Sequence, residues 1–152
     1  MTNWPARYVD LAEFISTWSK DPSTKVGAVL FRGDGSIISM GYNGFPRGCN
    51  DDPALLADRD MKLKLTLHAE ENAILAAVRN GSTVEGAHLA VTHHPCSRCA
   101  AKLSQAGIRH IYYVANDAFE ERWADDVDVA NSIFNQTGML AVRMVLGVNR
   151  SV

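Results

Sequence analysis

The apolar residues near the start of the chain fall at Tyr8, Leu11, Ala12, Ile15 and Trp18. Steps of three and four put them on one face of a helix, so the spacing predicts an amphipathic helix over residues 8–18. Asp21-Pro22-Ser23 ends it, because a residue before proline is driven out of the α region. Two β-rich runs follow, KVGAVLF at 25–31 and SIISMGYN at 36–43, with Gly33-Asp34-Gly35 between them as a hairpin turn. The turn-rich stretch Gly41-Tyr42-Asn43-Gly44-Phe45-Pro46-Arg47-Gly48 reads as a loop. Residues 51–64, mixed and charged, read as loop plus a short helix.

After that the pattern is regular. Residues 68–80, rich in Ala, Glu and Leu and stopped by Gly81, predict a helix. Residues 87–92 predict a buried strand, 97–105 a helix closed by Gly107, and 108–115 another strand. Residues 125–135 predict a helix ending near Gly138, and 139–146 a last strand. Strands alternating with helices imply parallel β-α-β units. The expected fold class is α/β: one domain over residues 1–152, a five-stranded mixed sheet in a three-layer α/β/α arrangement, its first two strands an antiparallel hairpin.

Composition narrows the function. A chain of 152 residues with 47% hydrophobic residues suits one core. A formal net charge of -2 argues against a nucleic-acid-seeking surface. No apolar run approaches the roughly 20 residues of a membrane helix. Met1-Thr2-Asn3-Trp4-Pro5 lacks the basic-then-apolar layout of a secretory signal, so a cytoplasmic location is expected. Three cysteines, Cys49, Cys96 and Cys99, cannot close a disulfide framework by themselves. The C-x-x-C pair at Cys96 and Cys99 then reads as a metal site or a redox pair.

The chemistry sits at His68-Ala69-Glu70 and at Pro95-Cys96-Ser97-Arg98-Cys99. Together these match the known signature of zinc nucleobase deaminases, and the match has a physical logic. His68, Cys96 and Cys99 offer three zinc ligands, and a catalytic zinc keeps its fourth position for water. Both clusters open predicted helices, whose N-termini favour thiolates and anions. Two thiolates weaken zinc as a Lewis acid, which gives Glu70 a task as general base. Helix positions two apart lie about 200° apart around the axis. His68 and Glu70 therefore share one site only if the helix begins near His68. A redox pair, or a structural zinc completed by Cys49, are the competing readings; the first ignores His68 and the second leaves Glu70 idle.

On these motifs the sequence resembles the deoxycytidylate (dCMP) deaminases of the zinc-dependent cytidine deaminase superfamily. The resemblance runs from about Trp4 to the last strand. It includes Ser19-Lys20-Asp21-Pro22-Ser23-Thr24-Lys25-Val26-Gly27-Ala28, the loop Gly41-Tyr42-Asn43-Gly44-Phe45-Pro46-Arg47-Gly48, and His68-Ala69-Glu70-Glu71-Asn72-Ala73-Ile74. It implies one catalytic Zn²⁺ per chain on His68, Cys96 and Cys99, and hydrolysis of dCMP to dUMP and ammonia. Glu70 would relay a proton from water to N3 of cytosine and then to the leaving amine. Asn43 would hydrogen-bond the deoxyribose, and Val26 and the backbone of Ala69 would flank the base. Gly44 and Arg47 would lie near the 5′-phosphate, and His94 would line the base pocket. Family members are typically homo-hexamers, and many respond to dCTP and dTTP at a site that includes the Gly-Tyr-Asn-Gly loop, with Mg²⁺ accompanying dCTP.

His93 and His94 stand where hydrophobic residues are common in the family, and neighbouring strand residues point to opposite faces, so at most one of them faces the site. Cys49 has no nearby partner for a second zinc. Glu121-Arg122-Trp123 reads as a surface turn with a packed tryptophan. The alternatives are a deaminase of a related cytosine nucleotide or of another nucleobase, including one in nucleic acid, and a non-enzymatic zinc accessory protein. The charge weighs against a polyanion substrate, and the presence of Glu70 against the accessory role.

Overall fold

The computed structural model describes residues 3–146. In chain order the elements are α1 (Trp4–Ser16), β1 (Gly27–Phe31), β2 (Ile37–Tyr42), α2 (Pro53–Ala57), α3 (Arg59–Leu65), α4 (Ala69–Arg79), β3 (His88–Val91), α5 (Ser97–Gln105), β4 (His110–Val114), α6 (Asp117–Arg122), α7 (Ala124–Thr137) and β5 (Leu140–Met144). The sheet has five strands in the order β2-β1-β3-β4-β5. β1 is antiparallel to both of its neighbours, while β3, β4 and β5 are parallel. This is the expected α/β/α sheet.

Alternation along β1 divides the core. Ala28 and Leu30 face one way and pack with Ala69, Ala73, Ala100, Leu103, Ala130 and Phe134 from α4, α5 and α7. Val29 and Phe31 face the other way and pack with Tyr8, Val9, Ala12 and Ile15 of α1. Every residue of β1 is buried, as befits a strand covered on both sides. The hairpin closes through the Arg32 N–H donating to Ser36 O at 2.8 Å, and Gly35 supplies a turn residue at φ 93°.

Several boundaries differ from expectation. α1 starts four residues early because Asn3 caps it, its Oδ1 accepting from the Ala6 N–H at 3.2 Å, with Pro5 in the first turn. It also stops at Ser16. The Ser16 and Thr17 hydroxyls donate to the carbonyls of Glu13 and Phe14, each at 2.6 Å, and Trp18 lies beyond the helix, half exposed. Residues 51–64 hold two short helices that share Asp58 as C-cap and N-cap. The supposed surface turn at 121–123 is corrected: α6 runs into α7 through Trp123, which is half exposed instead of packed.

Two glycines set how closely the layers approach. A Cβ at Gly27 would lie 1.9 Å from the carbonyl oxygen of Ala12 in α1. A Cβ at Gly41 would lie 2.3 Å from the carbonyl oxygen of Ala69 in α4. Backbone sits against backbone at both places, so Gly27→Ala and Gly41→Ala should each lower unfolding free energy by at least about 1–3 kcal/mol. Gly33 has nothing within 4 Å of the same position, so Gly33→Ala is the matched control and should be near neutral. Urea denaturation of the three variants measures this.

Candidate active site

α4 begins one residue after His68. His68 is its N-cap, in extended conformation at φ -73° and ψ 158°, while Ala69 and Glu70 already lie in the helix. The turn from extended to helical backbone lets His68 and Glu70 address one point despite their separation of two. Cys96 is likewise the N-cap of α5, in extended conformation, and its Sγ accepts from the Cys99 N–H at 3.4 Å. Both helices start at the end of the sheet where the central strand β3 finishes, and His68, Cys96 and Cys99 meet there.

His68 Nδ1 lies 3.6 Å from Cys96 Sγ and 3.4 Å from Cys99 Sγ. A tetrahedral zinc with ordinary Zn–S and Zn–N bonds would hold nitrogen and sulfur about 3.6 Å apart. The three donors thus fit the ion, and they are the one such cluster among the described residues. The protein groups alone share protons among themselves. The hydrogen bond from Cys99 holds the Cys96 thiol well below the usual thiol range, against burial and with help from His68. The Cys99 thiol is pushed up by that bond to Cys96 and by burial. His68 is raised to about 9 by its contact with Cys96, with burial opposing. A bound metal replaces those shared protons.

Glu70 is 5% exposed beside this cluster. Burial pushes its carboxyl up, more than its own backbone N–H and the His68 charge pull it down. An elevated carboxyl next to a metal triad has the properties of a general acid–base. Carboxylates support both helix starts. The Glu71 carboxylate accepts from the His68 N–H at 3.2 Å and pairs with Lys102 of α5. Asp126 of α7 accepts from the Ser97 N–H at 2.9 Å and from the Ser97 hydroxyl at 2.6 Å. Asp126 was missed in the sequence because it reads as an ordinary acid in the first turn of its own helix.

Residues 2–115 match the family model of the cytidine and deoxycytidylate deaminase zinc-binding region. The chain belongs to this family. The deaminase of the luxG 3′ region of Aliivibrio fischeri is 43% identical over 91% of this chain and 92% of its own length. Human deoxycytidylate deaminase is 34% identical over 90% of this chain and 76% of its own. Among solved structures, dCMP deaminase from the cyanophage S-TIM5 in complex with dCMP and dUMP aligns with a TM-score of 0.72 and 29% identity, covering 91% of this chain and 95% of that one.

The other expected residues of this deaminase fold are placed unevenly. Asn43 is buried, and its carboxamide ties down the segment before β1: Oδ1 accepts from the Val26 N–H and Nδ2 donates to Thr24 O, each at 2.8 Å. Its second amide N–H makes no hydrogen bond among the described residues. Val26 packs against the core cluster that contains Ala69. Gly44 forms an isolated bridge with Leu67, donating to Leu67 O at 3.1 Å and accepting from the Leu67 N–H at 2.8 Å, which seats the loop beside His68.

Arg47 lines a groove of about 290 Å³ together with Met40, Asn72 and Arg79, and none of the zinc ligands lines it. The His94 ring is buried at ring-contact distance from Tyr113 and Phe134, with Nδ1 against Pro95 O and Nε2 against Asn131 Oδ1. His93 packs edge-on against Phe119 of α6, with ring centres 5.0 Å apart. Cys49 is exposed and free.

Cys96→Ala or Cys99→Ala should abolish the one zinc per chain that a three-ligand site holds, with loss of thermal stability because the metal joins two helix starts. Glu70→Gln should retain zinc and lose at least about 10²- to 10⁴-fold in turnover. Metal analysis beside kinetics separates the two roles; zinc kept by both cysteine variants would refute the ligand assignment.

Proposed function

We propose that the protein hydrolyses dCMP to dUMP and ammonia, supplying dUMP for thymidylate synthesis, with Glu70 as the catalytic acid–base. The observation that carries this reading is the buried Glu70 carboxyl beside a His68–Cys96–Cys99 cluster spaced for zinc. A zinc ion held there supplies a Lewis acid that makes water acidic at neutral pH. Glu70 takes a proton from water as the water oxygen adds to C4 and passes it to N3 of the cytosine; it then takes the remaining proton of the new C4–OH and delivers it to the amine, so that the C4–N4 bond breaks, ammonia leaves and C4=O with N3–H remains. Val26 and the start of α4 at Ala69 flank the base, and the free N–H of Asn43 meets the sugar. The likeness to a structure holding dCMP and dUMP supports this substrate over a free base.

Two further parts of the reading concern Arg47 and assembly. The groove shared by Arg47 and Arg79 has two guanidinium groups beside the Gly41–Gly44 loop, a setting suited to a nucleotide phosphate. Either it takes the 5′-phosphate of dCMP, or it is an effector site for dCTP and dTTP, with Mg²⁺ accompanying dCTP. The protein acts as a homo-hexamer in the cytoplasm. Exposed Phe14, Trp18, Ile37, Met40 and Tyr42, near α1's end and along β2, support burial between copies.

The test is kcat/KM for dCMP, CMP, dCTP and deoxycytidine, with and without dCTP as effector. Two charge-assisted phosphate contacts predict dCMP over deoxycytidine by on the order of 10²- to 10⁴-fold. Arg47→Ala should erode that ratio if the groove reads substrate, or remove only the response to dCTP if it reads an effector. Equal values for dCMP and deoxycytidine under every condition would end the dCMP assignment.

A further inference from the structure

Lys62 of α3 is a buried lysine that the chemistry above does not use. Its Nζ donates to Asp21 Oδ1 at 3.2 Å and to Ser23 Oγ at 3.0 Å, and the Lys62 and Asp21 side chains are each 10% exposed. Asp21 Oδ1 also accepts from the Ser23 N–H at 2.8 Å and the Thr24 N–H at 3.1 Å, so the carboxylate is the hub of the 21–24 turn. Burial alone would push the Asp21 carboxyl up; those two N–H groups and then Lys62 outweigh it and hold it below the usual carboxylate range.

From this hub two routes lead to Asn43. Thr24 O accepts from Asn43 Nδ2. Ser19 Oγ accepts from the Asp21 N–H at 3.2 Å and donates to Asn43 O at 2.8 Å. Asn43 leads into Gly44, which is bridged to Leu67, and the Thr66 N–H donates back to Lys62 O at 2.9 Å. The contacts close a ring from Lys62 through Asp21, Asn43, Gly44 and Leu67 to Lys62, with His68 as the next residue along the chain.

We propose that Lys62 is a positioning residue for substrate: by neutralising Asp21 inside this ring, it fixes the wall formed by Val26 and Asn43 relative to the His68 end of the metal cluster. Its hydrogen bonds go to the turn and none goes to the cluster, so it acts through Asn43 and not on the reacting atoms. A wall that holds ground state and transition state alike controls KM and leaves kcat in place. Without the ammonium, a buried carboxylate lacks its counter-charge and the turn must open to hydrate it. Asn43 then loses the anchor that Thr24 supplies. The substrate side of this inference rests on the dCMP reading above.

The experiment compares wild type with Lys62→Met, Lys62→Arg and Asp21→Asn for zinc content, kcat and KM with dCMP, and amide hydrogen exchange. Lys62→Met should keep its zinc, raise KM by about ten- to a hundredfold and change kcat little. Exchange at the amides of Ser23, Thr24 and Val26 should quicken while those of Leu89 and Ile111 hold. Lys62→Arg should restore most of the wild-type KM. Asp21→Asn keeps the oxygen that accepts both backbone N–H groups, so it should fold even if Lys62→Met does not, and show a smaller KM rise. An unchanged KM in soluble variants, a fall in kcat alone, or exchange that quickens uniformly would overturn the proposal. A wild-type protein that does not turn over dCMP would refute the substrate and not the ring, and the exchange pattern then decides the ring.

Discussion

Two helices must begin at one point beyond the end of the central strand β3, each with a candidate metal ligand as its N-cap. If His68 lay inside α4, it would face away from Glu70, and the ligand and the acid could not serve one site. With His68 extended and Glu70 in the first turn, both side chains can address one point. Cys96 repeats the device on α5, where its extended backbone brings its sulfur round to Cys99 one turn on. Free N–H groups and the positive helix ends then favour the thiolate and any anion at the centre. Much of the remaining architecture keeps these two starts in register.

The close approach of α4 to β2 at Gly41 places the start of α4 on the sheet without an intervening side-chain layer. Lys102 and Glu71 tie α5 to α4, and Asp126 ties α7 to the first turn of α5. The exposed Lys102–Glu71 pair adds little stability by itself; its value is geometric. The Gly44–Leu67 bridge fastens the loop on the open side. The His68–Cys96–Cys99 cluster and the buried Glu70 carboxyl, which burial pushes up, are therefore held by α4, α5, α7 and the 44–67 bridge.

The two arginines and the buried lysine stand in different surroundings. Arg47 and Arg79 stand in an open groove where a ligand can meet them. Lys62 is enclosed and its charge is matched by Asp21, so it is unavailable to a phosphate. A buried pair of this kind is weak evidence for net stability, which makes its placement between α3 and the 21–24 turn the more informative property.

The local sequence was sufficient for most of the architecture and for the centre. Periodicity set the order of strands and long helices, because burial on one face imposes periods of about two and 3.6. His68, Glu70, Cys96 and Cys99 were legible because metal chemistry demands those residue types at those spacings. The local sequence could not place what depends on distant partners. His94 sits one residue before Pro95 of the motif, yet Tyr113, Phe134 and Asn131 draw its ring into the core. Asn43 was expected to meet the sugar; that it also holds Thr24 and Val26 follows only from the fold. Lys62 lies in a stretch without period, and Asp126 is one of two acids in the first turn of its helix. Both acquire their roles from groups 41 and 29 residues away along the chain. Spacing along a chain encodes only those neighbours that a regular helix or strand brings together, and packing of one element on another decides the rest.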